Sequence, residues 1–123
     1  MRIDKDDLRN IASALDAKLP GFSQALASDH SKLEQKPLQR SSLLEILQGA
    51  GAVATIVIAL KAITPSINVL LSEVEPGKTP DQIVASLSKT FHEQFVVPAR
   101  ENSAKMKLVV NAVLAYIKAR LNE

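Results

Sequence analysis

The side chains that could support catalysis are few and widely separated in this sequence. The 123 residues include no cysteine and two histidines, His30 and His92. Nucleophilic catalysis of the familiar kind needs a serine or cysteine beside a histidine that an acidic side chain orients, and the common protein metal sites have ligands at short, regular spacings. Neither pattern surrounds either histidine, so we predict no catalytic residue, no metal site, no cofactor and no enzymatic function. A deep pocket with convergent polar groups around one of these histidines would change that interpretation.

Two short stretches look like ligand sites but lack the residues that such sites require. Asp4, Asp6 and Asp7 form an acidic cluster without the ligand spacing and the glycine of a calcium-binding EF-hand loop. We predict instead that they cap a helix and face the positive end of its dipole. The stretch EPGKTP around Lys78 lacks the glycine spacing of a phosphate-binding loop. It predicts a turn that leads into a helix cap at Thr79.

The main candidate for a functional surface lies near the C-terminus. Residues 100–123 contain five basic and two acidic side chains, a net charge of +3 in a chain whose total is +2. At 100° per residue, one narrow arc of a helix over 100–122 carries Arg100, Lys107, Asn111 and Lys118. The opposite side is apolar and carries Met106, Val109, Val110, Val113, Leu114, Ile117 and Leu121. We therefore predict that the polar arc is an interaction face.

Nucleic acid is disfavoured as the partner of this face. The whole chain has four aromatic residues, Phe22, Phe91, Phe95 and Tyr116, whereas proteins that bind single strands stack bases on aromatic rings. Nucleic-acid binders also usually carry more positive charge than this chain does. The charge bias is compatible with an acidic partner but is too small to specify one.

A long apolar stretch raises the question of a membrane. Residues 48–71 contain one charged side chain, Lys61. A spanning helix needs about 20 apolar residues, whereas fifteen uncharged residues separate Glu45 from Lys61, and Pro65 follows soon afterwards. A helix that is apolar nearly all round is typical of the centre of a soluble domain. We therefore predict a buried central helix over about 42–62.

Small residues near the start of this helix suggest a close-packing face. Gly49, Gly51 and Ala52 would let another helix backbone approach closely, although each glycine costs the helix up to about 1 kcal/mol relative to alanine. Tight packing within the monomer and self-association both explain such a face.

Helix caps and prolines divide the chain into six predicted helices. Capping-box spacing marks starts at Ser42 and Thr79, and Thr64, like Thr79, precedes a proline at a first helical position. No stretch alternates with the period of two that is typical of a strand. The helices are placed at about 4–19, 22–35, 42–63, 65–75, 80–97 and 100–122. The prediction is an all-α, compact bundle that forms one domain over 1–123.

These features favour two classes of function. The first is a non-catalytic helical interaction or regulatory domain that binds a protein partner or self-associates. The alternative is a membrane-active protein of toxin or holin type, in which segments 43–60 and 65–74 form a helical hairpin that leaves the bundle and enters a bilayer. The N-terminal sequence MRIDKDDLRN lacks the apolar core of a secretory signal, so we expect a cytoplasmic location.

Overall fold

A computed structural model describes the backbone of residues 1–29, 37, 40–48 and 52–123, with side chains in these ranges except at 40–42, 44 and 52. Every regular element in these ranges is helical, which confirms the all-α prediction. In chain order the helices are α1 (Lys5–Leu15), α2 (Phe22–Ser28), α3 (Arg40–Leu47), α4 (Ala52–Ser72), α5 (Pro80–Phe91) and α6 (Ser103–Leu121). A π-helical turn (His92–Val96) and a 3-10 segment (Val97–Asn102) connect α5 to α6.

The N-terminal helix begins at the predicted cap. The Asp4 carboxylate accepts a hydrogen bond from the backbone N–H of Asp7 at 2.9 Å, and the Asp7 carboxylate accepts one from the N–H of Asp4 at 2.8 Å. This reciprocal pair satisfies two N–H groups, one of them a donor that the first turn of a helix leaves without a partner. Just before the cap, the backbone of Ile3 exchanges two hydrogen bonds, of 2.7 and 3.1 Å, with the side-chain amide of Asn68 in α4. The start of the chain is thereby fixed to the centre of the bundle.

The predicted apolar stripe of α1 faces the core, and a sharp turn brings α2 back against it. Leu8, Ile11 and Leu15 of α1 are buried, and so is Leu19. The predicted end of this helix at 19 is wrong, because α1 ends at Leu15 and Leu19 lies in the turn that follows. The turn contains Gly21, whose φ of 85° is readily adopted by glycine alone. The Asp16 carboxylate then accepts a hydrogen bond from the N–H of Ser23 at 2.8 Å, which satisfies a donor in the first turn of α2. The predicted continuation of this helix to 35 is wrong, because α2 ends at Ser28 and its C-cap residue Asp29 has an extended backbone, with φ of −80° and ψ of 114°. Residues 30–35 lie outside the described residues.

The central apolar helix has different bounds from those predicted. The predicted span 42–62 corresponds to α3 and the first half of α4, with 49–51 outside the described residues. The predicted cap at Ser42 is wrong, because α3 begins at Arg40 and Ser42 lies inside it. A serine and a glutamate three residues apart also share one face within a helix, so this spacing alone does not locate a helix start.

The predicted helix start at Thr64 and Pro65 is also wrong, since both residues lie inside α4. An interior proline removes one N–H donor and costs about 3 kcal/mol. Here Thr64 is buried and its hydroxyl donates to the carbonyl of Leu60 at 2.7 Å. Ile63 and Ile67, on either side of the proline, are buried in the core. Burial on both sides of Pro65 offsets the local cost of keeping the helix continuous.

The single charge of the apolar stretch is paired. Nζ of Lys61 lies 3.1 Å from a carboxylate oxygen of Asp29, the C-cap residue of α2, and the two side chains are 13% and 17% exposed. This ion pair compensates a charge whose isolated burial would be costly, so α4 can pack against α2, α3 and α6. Because α4 is continuous, segments 43–60 and 65–74 are not two arms of a hairpin in this fold.

Helix α5 begins as predicted, but the helical region that follows it does not end as predicted. The hydroxyl of Thr79 accepts a hydrogen bond from the N–H of Gln82 at 3.2 Å, and the Gln82 side chain accepts one from the N–H of Thr79 at 3.0 Å, which confirms the capping box. The predicted end of helical structure before Pro98 is wrong. Helix α5 ends at Phe91, and helical turns continue through Pro98 as the π-helical turn and then the 3-10 segment. The rings of Phe91 and Phe95, with centroids 5.5 Å apart, are buried where the π-helical turn packs against α6.

One cluster of buried, mainly aliphatic side chains connects the helices, from Ile3 at the N-terminus to Ile117 in α6. The apolar side of α6 enters this cluster as the sequence predicted, with Leu121 half-buried at its end. The buried residues of α6 are Met106, Val109, Val110, Val113, Leu114 and Ile117.

Candidate interaction surface

All four residues of the predicted interaction face are exposed. Lys107, Asn111 and Lys118 lie on the outer side of α6. The predicted helix start at 100 is wrong, because α6 begins at Ser103 and Arg100 lies in the 3-10 segment before it, with a non-helical backbone. Nζ of Lys118 lies 3.2 Å from the carboxylate of Asp81 at the start of α5. The structure therefore brings Arg100, Lys107 and Asn111 to one end of the face and gives Lys118 an acidic neighbour at the other.

The end of α5 and the π-helical turn add residues to this face that the sequence did not assign to it. Two adjoining open depressions, of about 390 and 290 Å³, run between these elements and α6 and share His92, Val96 and Lys107. We call this surface the cationic groove. Its ionisable side chains are Lys89, His92, Glu93, Arg100 and Lys107.

The cationic groove combines positive charge with an apolar contact point. Within the described part of the chain, Lys89, Arg100 and Lys107 form no ion pair, and Glu93 is the one carboxylate of the groove. Val97, at the rim, is 60% exposed, more than any other large apolar side chain in the described ranges. The cations can attract an acidic surface over a distance. The exposed valine can then form an apolar contact with that surface from which water is excluded.

Arg100 has an unusual backbone conformation. Its φ of 52° and ψ of −112° lie close to the first central position of a type II′ turn, where glycine predominates. No other non-glycine residue in the described ranges has a positive φ. Holding a side chain in such a region costs about 1–3 kcal/mol, and residues of this kind cluster at functional sites.

A groove of about 480 Å³ between the end of α4 and α5 has a different character. Its rim carries Glu73 and Glu75 together with Lys78, and its lining includes apolar residues such as Leu70 and Ile83. Charges of opposite sign partly cancel there, so this groove lacks the strong positive or negative electrostatic potential that attracts a charged partner.

A polar cluster between α1 and α6 was not foreseen in the sequence. Asp7 is 5% exposed, and its Oδ1 accepts hydrogen bonds from the Tyr116 hydroxyl and, at 2.8 Å, from Arg120. Burial raises the pKa of Asp7, but the hydrogen bonds from Tyr116 and Asp4 and the charge of Arg120 outweigh burial and hold that pKa below its usual range. The cluster fixes the end of α6 to the start of α1, which is a structural role.

Two other sets of candidate residues remain predictions. Gly49 and Gly51 lie outside the described residues, and so does the side chain of Ala52, so the predicted close-packing or self-association face is not described. His30 also lies outside them, whereas His92 is exposed in the cationic groove. Among the described side chains, no group of three His, Cys, Asp or Glu residues is arranged to hold a metal ion.

No protein-family model, curated protein or solved structure matches this chain. The candidate surface is therefore defined by the geometry and the charges described above.

Proposed function

We propose that this chain is a non-catalytic helical interaction domain that binds a protein partner, or a second copy of itself, through the cationic groove. The observation that carries the proposal is the cationic groove itself, in which exposed Val97 lies beside Arg100 and Lys107. Arginine is enriched in protein interfaces, and complementary charges accelerate association and select the partner.

The position of the groove on the fold supports this function. Val96 and Val110, which line it, belong to the buried core. The residues around the groove are thus attached to a packed framework, and a rigid binding surface loses little conformational freedom when a partner docks.

Purification from the native host tests the proposal. A tagged full-length chain should retain a partner protein, or sediment as a concentration-dependent oligomer, and Lys107→Glu should weaken that association. Lys18→Glu is the matched control, because Lys18 is exposed outside the groove and the net charge changes equally. A chain that sediments as a monomer at every concentration and retains no partner contradicts the proposal, as does an association that Lys18→Glu weakens as much as Lys107→Glu does.

One observation supports the membrane-active alternative. The stretch Val53–Ser72 of α4 is long and apolar enough to cross a bilayer, although most of it is buried in the bundle. Entry into a bilayer would require α4 to leave the core and Lys61 to separate from Asp29. Flotation with anionic vesicles, at neutral and acidic pH, tests this alternative. Recovery of the chain with the vesicles, together with dye release, favours it, and the absence of both removes it.

A further inference from the structure

We infer that the segment which occupies the cationic groove is an acidic protein segment that carries an apolar side chain next to its carboxylates. The inference rests on the function proposed above and specifies the chemistry of the partner. Three features of the groove lead to it: its charge, the position of Val97 and the backbone of Arg100.

The charge of the groove selects carboxylates. Lys89, Arg100 and Lys107 each carry a positive charge, Glu93 carries the one negative charge, and no described side chain forms an ion pair with the three cations. A partner with several carboxylates would be attracted over a distance of about one Debye length, roughly 8–10 Å at physiological salt. Arginine also binds a carboxylate in a bidentate manner, which orients the segment as well as attracting it.

Val97 requires an apolar side chain in the same segment. It is 60% exposed and lines the same depression as His92, Arg100 and Lys107. An extended acidic segment without an apolar residue would leave this valine in water or place polar atoms against it. A leucine-sized side chain on the segment would instead bury it, and a buried apolar contact surrounded by charges is the usual anatomy of a protein interface.

The strained backbone of Arg100 is the third feature that supports a binding site in the groove. A φ of 52° at a residue with a Cβ is unfavourable, yet this conformation sets the direction in which the arginine leaves the chain at the end of the groove. Glycine would fit the same backbone without strain but would supply no guanidinium. The presence of arginine where glycine fits best is therefore consistent with a ligand that needs the charge at this place.

Nucleic acid and lipid are weaker candidates for the same surface. Among the described residues, no Phe, Tyr or Trp side chain lines the groove, so bases would find no ring on which to stack. The surface is concave, and Val97 is the one large apolar side chain exposed at its rim in the described ranges. Interfacial membrane binding instead uses a broad apolar helix face.

Fluorescence anisotropy with the full-length chain tests the inference. The probe is a labelled peptide of glutamate and glycine with one leucine, and the comparison peptides replace every glutamate by glutamine or the leucine by serine. Reversing one groove charge replaces an attraction by a repulsion of similar size, so Lys107→Glu should weaken binding of the acidic peptide by about tenfold, whereas Lys18→Glu should change it less than about twofold. Val97→Ser should abolish the preference for leucine over serine in the peptide.

The outcomes separate this inference from the proposed function. If a host partner is retained and the acidic peptide displaces it, both are supported. If a partner is retained but the peptide neither binds nor displaces it, the inference is wrong and the proposed function stands. Tighter binding of labelled oligothymidylate or of phosphatidylglycerol vesicles, reduced by Lys107→Glu, would replace the acidic segment by nucleic acid or lipid. Equal effects of Lys107→Glu and Lys18→Glu would show non-specific attraction and overturn the inference.

Discussion

Arg100 occupies a backbone conformation that glycine adopts without strain, with φ of 52° and ψ of −112°. We predict that Arg100→Gly raises the free energy of unfolding by about 1 kcal/mol, because relief of the strain exceeds the extra chain entropy that glycine gives the unfolded state. Urea denaturation of parent and variant measures the difference. Arg100→Ala is the control, since it removes the guanidinium but keeps the Cβ. If Arg100→Ala stabilises the fold equally, the gain comes from loss of the charge, and backbone strain is not its cause.

Asp7 connects α1 to α6 through Tyr116 and Arg120. We predict that Asp7→Asn lowers the free energy of unfolding at pH 7 by about 1–3 kcal/mol, because a neutral amide accepts weaker hydrogen bonds from Tyr116 and Arg120 than the carboxylate does. Asp6→Asn is the control: Asp6 forms an exposed pair with Arg9, and its replacement should change stability by less than about 0.5 kcal/mol. Similar losses for both variants would contradict a special role for Asp7.

The same carboxylate gives a pH dependence. The pKa of Asp7 is lower in the folded state than its ordinary value. Its contribution to stability is therefore complete above the unfolded-state pKa of about 3.9 and is lost as the pH falls through the lower folded-state pKa. Thermal melts between neutral and acidic pH should show a shallower acid loss for Asp7→Asn than for the parent. Identical acid profiles would contradict the account of this cluster.

Helix α4 contains adjacent residues with opposite environments, which allows a matched test of its burial. Val57 is 1% exposed and Ile58 is 45% exposed. We predict that Val57→Asp destabilises the fold by about 4 kcal/mol or more, because it places an unpaired carboxylate in the core, whereas Ile58→Asp changes stability by about 0.5 kcal/mol. Circular dichroism melts compare the two variants. An unchanged melting temperature for Val57→Asp would overturn the buried position of α4.

The ion pair with Asp29 compensates the charge of Lys61 within the apolar helix α4. A double-mutant cycle with Lys61→Met and Asp29→Asn should give a coupling free energy of about 0.5–3 kcal/mol, because the pair is mostly buried. Chemical denaturation of the four proteins supplies the cycle. A coupling near zero would mean that the pair behaves as an exposed ion pair and does not hold α4 against α2.

Local sequence signals located two of the four predicted helix caps and predicted helix continuity poorly. The caps at Asp4 and Thr79 depend on residues within one turn, and the structure has both. Continuity through Pro65 depends on the burial of α4 against α2, α3 and α6. Burial by distant helices is a tertiary effect that overrides a local preference. For this reason the proline indicated a helix start in the sequence and lies inside a helix in the fold.

At the scale of the whole molecule, the sequence predicted one side of the candidate surface. The helical period of residues 103–121 identified Lys107 and Asn111 as exposed on α6. Arg100 was assigned to the same arc and is exposed, but it lies in the 3-10 segment before α6. The period did not identify Lys89 or His92, because they come from α5 and the π-helical turn, whose placement beside α6 requires the packed bundle. The contact between Asp7 and Tyr116, 109 residues apart in the chain, was inaccessible for the same reason.

If a protein partner docks at the cationic groove, it must lie close to Val97, the most exposed large apolar side chain of the described residues. A photoreactive benzoylphenylalanine at Val97 should crosslink a defined protein, or a second copy of the chain, in cells of the native host. The same residue at Ile58 is the matched control, since Ile58 is also an exposed apolar side chain but lies outside the groove. We predict a discrete crosslinked product from position 97, which Lys107→Glu reduces, and no such product from position 58. Absence of a product from position 97, or the same product from both positions, would contradict docking at the groove.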